Sequence, residues 1–252
     1  MQISFSTLKS FIDCEAETLA YKSGLWDRSK TFPEAATIAM NNGTLVHTFF
    51  EGAKPYEKLL KDMSDVYFEN GYFKEEYAQG LDMIERLHRS DLFNLVYQGE
   101  KEPEIKGTIN GIDFHGFIDC LNEDKKVFCD IKTVNRSLTQ KTWNDKKRRK
   151  EHWLLNRKYH FQMAIYQELL KQNGKDNFKP IICAVSKEEF NDIEIFYIPQ
   201  DILDEALDEV RTHVERFKEI FLDGEVPKRC ENCNYCKATK EPKRIKSLKE
   251  LL

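Results

Sequence analysis

Residues 116–132 constrain this chain more than any other stretch. They form two short apolar runs joined by a polar, charged turn, a pattern that predicts a β-hairpin. Asp119 lies in the first run, and Asp130 and Lys132 end the second. Because side chains alternate along a strand, Asp130 and Lys132 share one face, while Ile131 points the opposite way into the core. The hairpin therefore predicts two carboxylates and an amine gathered on one side of a sheet.

Such a set of side chains is suited to holding a divalent metal beside a phosphate. The carboxylates of Asp119 and Asp130, with the carbonyl oxygen of Ile131, are hard oxygen ligands of the kind that Mg²⁺ or Mn²⁺ takes. The ion would lower the pKa of a bound water and neutralise charge that grows on the phosphate. Lys132 would orient the attacking water or stabilise that charge. The alternative is an exposed strand on which Asp130 and Lys132 form an ordinary solvated ion pair.

The composition is that of an ordinary water-soluble globular protein. The chain has 252 residues, 40% hydrophobic and 33% charged, which is enough to bury a sizeable core. A net charge of −4 gives no global signal for nucleic acid, so DNA contacts must come from local basic patches. No apolar run approaches a membrane span, and the N-terminus lacks the apolar core of a secretory signal. Seven cysteines, an odd count, argue against an exported disulfide framework and favour the reducing cytoplasm.

Apolar periodicity predicts a succession of helices and strands. Helices are expected at residues 4–21, 44–51, 55–69, 74–90, 155–172 and 200–222, and a loop at 22–42. Strands are expected on both sides of the Asn110-Gly111 turn and at 127–131, 179–185 and 193–198. This order predicts one α/β domain over residues 1–252, with a central, mostly antiparallel mixed sheet flanked by helices.

Four further segments occur in an order that one known family shares. They are an opening helix over residues 4–14, a Gly-x-x-x-His segment over 43–47, Glu104 ahead of the hairpin, and a Gln-x-x-x-Tyr segment over 162–166. With the Asp119, Asp130 and Lys132 set, they resemble the PD-(D/E)xK nuclease superfamily, in particular its RecB-like and RecE-type phage recombination exonucleases. The resemblance covers nearly the whole chain and implies a restriction-endonuclease-like core.

The resemblance also implies roles for individual residues. His47 would join Asp119 and Asp130 as a metal ligand, and Lys132 would be the catalytic lysine. Three more residues would support the site: Glu104, Gln162 and Tyr166. An isolated histidine such as His47 is otherwise more often a hydrogen-bonded core residue. Gln162 and Tyr166, four residues apart, share one helical face that could equally be an ordinary polar face. Glu100 and Glu102 are alternatives to Glu104.

A cysteine cluster near the C-terminus indicates a second metal site. Cys230, Cys233 and Cys236 form C-x-x-C-x-x-C, and Cys14 is the natural fourth ligand. The resemblance implies a 4Fe–4S cluster, which helicase–nuclease and CRISPR-adaptation relatives build from one early and three late cysteines. The late spacing here departs from theirs. Two alternatives are a zinc ion bound by the four thiolates and a cluster without metal.

A basic run lies directly after the predicted catalytic strand. Lys146, Lys147, Arg148, Arg149 and Lys150, with Trp143 and Trp153 nearby, predict a clamp on the DNA backbone with stacking surfaces. The alternative is a solvated basic loop. This basic run offers no readout of bases, so sequence-independent binding is expected.

The leading hypothesis is a Mg²⁺- or Mn²⁺-dependent DNA exonuclease of phage or prophage recombination or repair, acting at duplex or single-stranded ends. The resemblance implies a bacterial or phage-infected cell and a single-strand annealing protein as partner; a homo-oligomer is left open. A rival is a CRISPR-adaptation or repair nuclease that acts on single-stranded overhangs. From another class comes a non-catalytic DNA- or partner-binding module with the same fold.

Overall fold

The structure, a computed structural model, describes residues 1–29, 33–144 and 148–242, together with residues 244, 245, 247 and 249. Its helices are α1 Phe5–Asp13, α2 Glu15–Lys22, α3 Glu34–Glu51, α4 Ala53–Asp62, α5 Ser64–Tyr67, α6 Ala78–His88, α7 Asp91–Val96, α8 Trp153–Asn156, α9 Tyr159–Gln172, α10 Gln200–Phe221 and α11 Asn234–Ala238. A short 3₁₀ helix covers Glu75–Tyr77.

The strands are β1 Gln2–Ile3, β2 Phe68–Glu69, β3 Tyr72–Phe73, β4 Glu100–Lys101, β5 Glu104–Ile109, β6 Ile112–Phe117, β7 Cys120–Asn122, β8 Val127–Val134, β9 Lys141–Asn144, β10 Arg149–His152, β11 Lys179–Ser186 and β12 Ile193–Tyr197. Five of them form a sheet in the order β12-β11-β8-β7-β4, and three form a second sheet in the order β1-β6-β5. β11 is parallel to β8 and β1 to β6, while the other neighbours in both sheets are antiparallel. The mixed, mostly antiparallel α/β architecture is therefore confirmed.

Strand β8 lies at the centre of the larger sheet and is covered on both faces. Phe128 belongs to a core formed with α1, α9 and α10. Cys129 and Ile131 belong to a second core formed with α3 and α6. The period-two rule places Asp130 and Lys132 on the Phe128 side, facing α9. A strand that is otherwise enclosed by apolar layers thus carries two ionisable groups into the α9 interface.

The first predicted hairpin is formed as expected. Ile109 pairs with Ile112, and the two residues between them, Asn110 and Gly111, have positive φ angles of 48° and 79°. That is the geometry of a two-residue turn whose twist matches the strands. In the second hairpin Cys120 pairs with Cys129, so Asp119 lies just ahead of the paired part of β7 rather than inside it.

The predicted helix over residues 4–21 is instead two helices that meet at Cys14. Ser4 caps α1 by accepting a hydrogen bond from the Thr7 N–H. Cys14 has an extended backbone, with φ −157° and ψ 108°; its N–H donates to the Ser10 carbonyl and its sulfur accepts from the Glu17 N–H. One residue therefore ends α1 and caps α2, a local geometry that apolar periodicity does not reveal.

The predicted loop over residues 22–42 is wrong for its last part, because α3 begins at Glu34. Asparagine favours turns, but the buried side chain of Asn42 donates to the carbonyls of Ile38, in the same helix, and of Glu76, in the 3₁₀ helix. Gly43 lies in the same helix, where an added Cβ would meet Thr133 Oγ1 at 3.2 Å. Close packing against β8 has overridden the intrinsic preference of these residues.

Three other boundaries also differ from the expectation. The helix predicted over 55–69 ends earlier, in a β2–β3 hairpin whose turn is Asn70-Gly71, both at positive φ. The 155–172 helix is divided by Lys158, which has φ 61°. The basic segment after β8 is flanked by the antiparallel pair β9 and β10 rather than being a free loop.

Among the described residues, no helix has the length and apolar composition that a membrane crossing requires.

Candidate active site

Asp119 and His47 form one half of a polar cluster, in which Asp119 is buried and His47 is half-buried. The Nδ1 atom of His47, on α3, lies 3.1 Å from Asp119 Oδ2. The same oxygen accepts a hydrogen bond of 2.6 Å from the Ile131 N–H, and the Asp119 carbonyl accepts one from the Tyr97 hydroxyl at 3.1 Å. A helix, a strand and the residue ahead of β7 are thereby held together by one carboxylate.

Asp130, Lys132 and Gln162 form the other half. The Lys132 ammonium forms an ion pair with Asp130. The Gln162 amide bridges the pair, because its Nε2 donates to Asp130 Oδ2 at 3.1 Å and its Oε1 accepts from Lys132 Nζ at 2.9 Å. Lys132 also lies 4.5 Å from the centre of the Tyr159 ring, a cation–π contact. Gln162 therefore fixes the positions of both groups of the Asp-x-Lys motif.

Burial and charge move the pKa values of this cluster. Burial disfavours ionised Asp119, but His47, Lys132 and the Ile131 N–H outweigh it and hold the pKa of that carboxyl below its usual range. Burial, opposed by Lys132 and reinforced by Asp119, raises the pKa of Asp130 to about 6. For Lys132, burial lowers the pKa, but the attraction of Asp130 outweighs it and leaves the pKa above the usual value. The ammonium form of Lys132 is thus secured at neutral pH.

Tyr166, one helical turn after Gln162, is buried beside the cluster. Burial and the charge of Asp130 raise the pKa of its phenol to about 12, although Gln162 opposes the shift. Its ring lies against Gly116, where an added Cβ would come within 2.6 Å of it. Glycine at position 116 is therefore required for Tyr166 to pack between α9 and β6.

The acidic residue that accompanies the cluster is Glu102, not Glu104. Glu104 is exposed on β5 and pairs with Lys106. Burial, followed by the charge of Asp119, raises the pKa of Glu102 to about 7, and His47 and Asp130 also act on it. Glu102 has a left-handed backbone, φ 53°, which costs a non-glycine residue about 1 kcal/mol and is typical of functional sites.

We expect Glu102→Gln to lower any DNA cleavage activity by about 10- to 100-fold, whereas Glu104→Gln leaves it unchanged. Of these two glutamates, Glu102 interacts electrostatically with Asp119 and His47, whereas Glu104 is exposed and pairs with Lys106. The two variants carry the same chemical change two residues apart, and initial cleavage rates of labelled DNA measure both. If only the Glu104→Gln variant lost activity, Glu104 would be the acidic residue of the site, as the resemblance implies.

The polar cluster contains the residue types that Mg²⁺ or Mn²⁺ takes as ligands, but among the described residues only Cys14, Cys230, Cys233 and Cys236 bring their ligand atoms close enough together to hold an ion. Asp119 and Asp130 are buried carboxylates whose like charges act on each other, and His47 adds an imidazole nitrogen. Ile131 contacts the site through its N–H, and its side chain is fully buried in the second core. The expectation that its carbonyl is a ligand stays a prediction.

A polar cleft of about 540 Å³ opens beside Lys132. Thr133 and Tyr159 line its inner end, and its walls come from α1, α3 and the α8–α9 junction. Five cations line it: Lys9, Arg136, Arg157, Lys158 and Lys187. Asp13, also in the lining, pairs with Lys158 at 2.7 Å. Burial, partly opposed by Asp13 and reinforced by Arg157, lowers the pKa of Lys9, and burial lowers that of Lys187.

The predicted DNA clamp is only partly described. Lys146 and Lys147 lie outside the described residues. Arg148 and Lys150 are exposed, and Arg149 is tied to the buried Glu151 by an ion pair of 2.8 Å. Trp143, opposite Lys150 in the hairpin, is 56% exposed and free to stack on a base. Trp153 cannot stack on a base, because it is buried and its Nε1 donates to the Leu138 carbonyl.

The four cysteines predicted to form a metal site meet in the structure. Cys14, Cys230, Cys233 and Cys236 have their sulfur atoms within 4.8 Å of one another. Cys14 and Cys236 are buried, and the other two are half-buried. Such a cluster is compatible with metal binding. Cys120, Cys129 and Cys183, by contrast, are buried core residues.

Residues 4–239 match a family model described as a PDDEXK-like domain of unknown function (DUF3799). The chain belongs to this family. The PDDEXK-like match spans every residue of the polar cluster, the cationic cleft and the cysteine cluster, so all three features belong to the family domain rather than to an appended segment.

A solved structure shares the fold of this PDDEXK-like chain. The crystal structure titled "Putative exonuclease" from Eubacterium rectale aligns with a TM-score of 0.85, covering 99% of this chain and 92% of the other at 24% identity. A second structure, named SSO0001, aligns with a TM-score of only 0.35 at 20% identity over 72% of this chain and 75% of the other. None of the curated proteins matches the chain.

Proposed function

We propose that the chain is a metal-dependent deoxyribonuclease that hydrolyses phosphodiester bonds at DNA ends. The observation that carries this proposal is the Gln162 bridge, which holds Asp130 and Lys132 together beside the Asp119–His47 pair. The PDDEXK-like family and the fold shared with the protein described as a "Putative exonuclease" support it. The proposal treats the family domain as a single nuclease unit.

In this proposal the polar cluster holds the metal and the reacting phosphate. Asp119, Asp130 and His47 would ligate Mg²⁺ or Mn²⁺, which when bound supplies an activated water and neutralises charge on the phosphate. Lys132 donates a hydrogen bond to the phosphate or to the attacking water, because its pKa keeps it protonated at neutral pH. Gln162 and Tyr159 hold the ammonium in place, so little reorganisation is needed during the reaction.

The cationic cleft supplies a path for the DNA backbone. Its cations come from several elements that converge beside Lys132. The contacts available are to phosphates, so binding without sequence preference is expected. The exposed Trp143 and Lys150 of the β9–β10 hairpin would extend the contact with a stacking surface.

We expect the double variant Lys9→Ala, Arg136→Ala to bind DNA about 10-fold more weakly and to reduce the slope of log affinity against log salt by about 2, because two phosphate contacts are lost. Lys58→Ala with Lys61→Ala, which removes two exposed lysines from α4, is the matched control. Fluorescence anisotropy over a salt series measures both. An unchanged slope in the cleft variant would exclude the cleft as the DNA path.

One cleavage assay tests the proposed function. Labelled linear duplex, duplex with overhangs, single strands and closed circles are incubated with the protein and Mg²⁺, Mn²⁺ or a chelator. Metal-dependent release of nucleotides from linear DNA but not from circles supports an exonuclease. Cleavage confined to single strands and overhangs would support the overhang nuclease instead. DNA binding without cleavage under any metal would indicate a non-catalytic module.

The role in phage or prophage recombination rests on the resemblance alone. It predicts that a single-strand annealing protein encoded with this chain binds it and anneals the strands that it exposes. Co-purification of the two proteins, with the chain alone as the control, tests that partnership.

A further inference from the structure

We propose that Cys14, Cys230, Cys233 and Cys236 bind a single zinc ion rather than the 4Fe–4S cluster that the family resemblance implies. The proposal does not depend on nuclease activity. It rests on the separation of the four sulfur atoms and on the backbone groups that surround them.

The sulfur atoms are too close together for an iron–sulfur cube. All four lie within 4.8 Å of one another, with Cys14 and Cys236 at 3.6 Å and Cys230 and Cys236 at 3.9 Å. A tetrahedral zinc ion with Zn–S bonds of about 2.3 Å places its sulfur ligands about 3.8 Å apart. In a 4Fe–4S cluster each thiolate binds a different iron and points outward, which separates the sulfur atoms by roughly 6 Å. The observed distances match one ion.

Backbone N–H groups already point at the sulfur atoms. The Glu17 N–H donates to Cys14, the Cys233 N–H to Cys230 and the Cys236 N–H to Cys233, at 3.3 to 3.4 Å. Hydrogen bonds of this kind orient thiolate ligands and offset the negative charge of a site with four of them. The Arg229 guanidinium lies beside the site as well and donates to the Cys236 carbonyl. Among divalent ions, thiolate tetrahedra favour zinc over Fe²⁺.

The ion would join two distant parts of the chain. Cys14 lies at the corner between α1 and α2, while the other three cysteines lie around α11. Other contacts also connect these regions: the Ala16 N–H donates to the Lys228 carbonyl, the Glu15 carboxylate accepts from the Lys228 N–H, and the rings of Trp26 and Tyr235 meet edge to face at 5.4 Å. The apolar cluster there is small, so a structural ion would supply cohesion that the core does not.

Metal analysis of the purified full-length chain tests the proposal. The protein is produced with iron and zinc both supplied, isolated without oxygen, and assayed for zinc, iron and acid-labile sulfide. We expect about one zinc per chain, no sulfide and no visible colour. Brown protein with about four irons and four sulfides, one iron without sulfide, or no metal at all would each overturn the proposal.

A variant pair locates the ion. Cys14→Ser should lose most of the zinc, whereas Cys183→Ala, which removes a buried thiol outside the cluster, should keep it. Because Cys14→Ser could fail to fold, a second measurement uses the unaltered protein: titration with a thiol-specific mercurial should release zinc as the cluster thiols react. Zinc that remains bound after those thiols are modified, or that is retained by folded Cys14→Ser, would contradict this assignment.

Discussion

Replacing Lys132 with methionine is expected to lower the rate of DNA cleavage by at least about 10²- to 10³-fold at saturating metal. The ammonium donates to Gln162 and contacts Asp130, so it stands where it can donate to a phosphate or to the attacking water. Removing one fixed donor from such a site has an effect of that size. Methionine keeps the length of the side chain and its packing beside Tyr159 but removes the charge. Single-turnover rates on end-labelled DNA give the measurement.

Lys106→Met is the matched control for this change. Lys106 is an exposed lysine on β5 that pairs with Glu104, away from the polar cluster. Its variant should cleave DNA at the rate of the unaltered protein. If Lys132→Met kept more than a tenth of that rate while Lys106→Met was unaffected, Lys132 would not be the catalytic lysine.

The Asp130→Asn variant is expected to lose the stabilisation that a bound metal gives to the folded protein. A ligand that binds only the folded state at 100 times its dissociation constant stabilises it by about 2.7 kcal/mol, which appears as a rise in Tm. An amide oxygen carries no charge and is a weaker ligand, so Mn²⁺ should raise the Tm of the unaltered protein but not that of the variant. Cleavage should be lost together with this rise.

Asp113→Asn provides the same chemical change outside the cluster. Asp113 is exposed on β6, and its variant should keep both the Mn²⁺-dependent rise in Tm and the cleavage activity. An Asp130→Asn variant that still gained full stabilisation from Mn²⁺ would show that the metal binds elsewhere.

The sequence predicted the strand that carries the site better than it predicted the helices. Alternation is a local property, and Asn110-Gly111 prescribes its own turn, so β5, β6 and β8 lie where the pattern indicates. The meeting of Asp130 and Lys132 on one face follows from the same period of two. The resemblance led us to expect Gln162 to support the site, but its contacts with both Asp130 and Lys132 were not predicted, since no local rule joins residues 30 positions apart.

The parts that could not be predicted depend on tertiary structure. Glu104 fitted a strand, but its side chain is exposed on β5, and only the folded chain brings Glu102 close enough to Asp119 for their charges to interact. Nothing in the sequence requires positive φ at a glutamate. The cationic cleft was missed because its residues are scattered along the chain, and no run of basic residues marks it.

Strand β8 gives the protein an unusual centre, because a segment enclosed by apolar layers holds an acid and an amine. The amide of Ile131 is bonded to Asp119, so its exchange with deuterated solvent reports how often this region opens. We expect added Mn²⁺ to slow that exchange selectively, relative to amides of α10. The metal ion proposed for DNA cleavage would then also suppress local opening at the centre of the sheet.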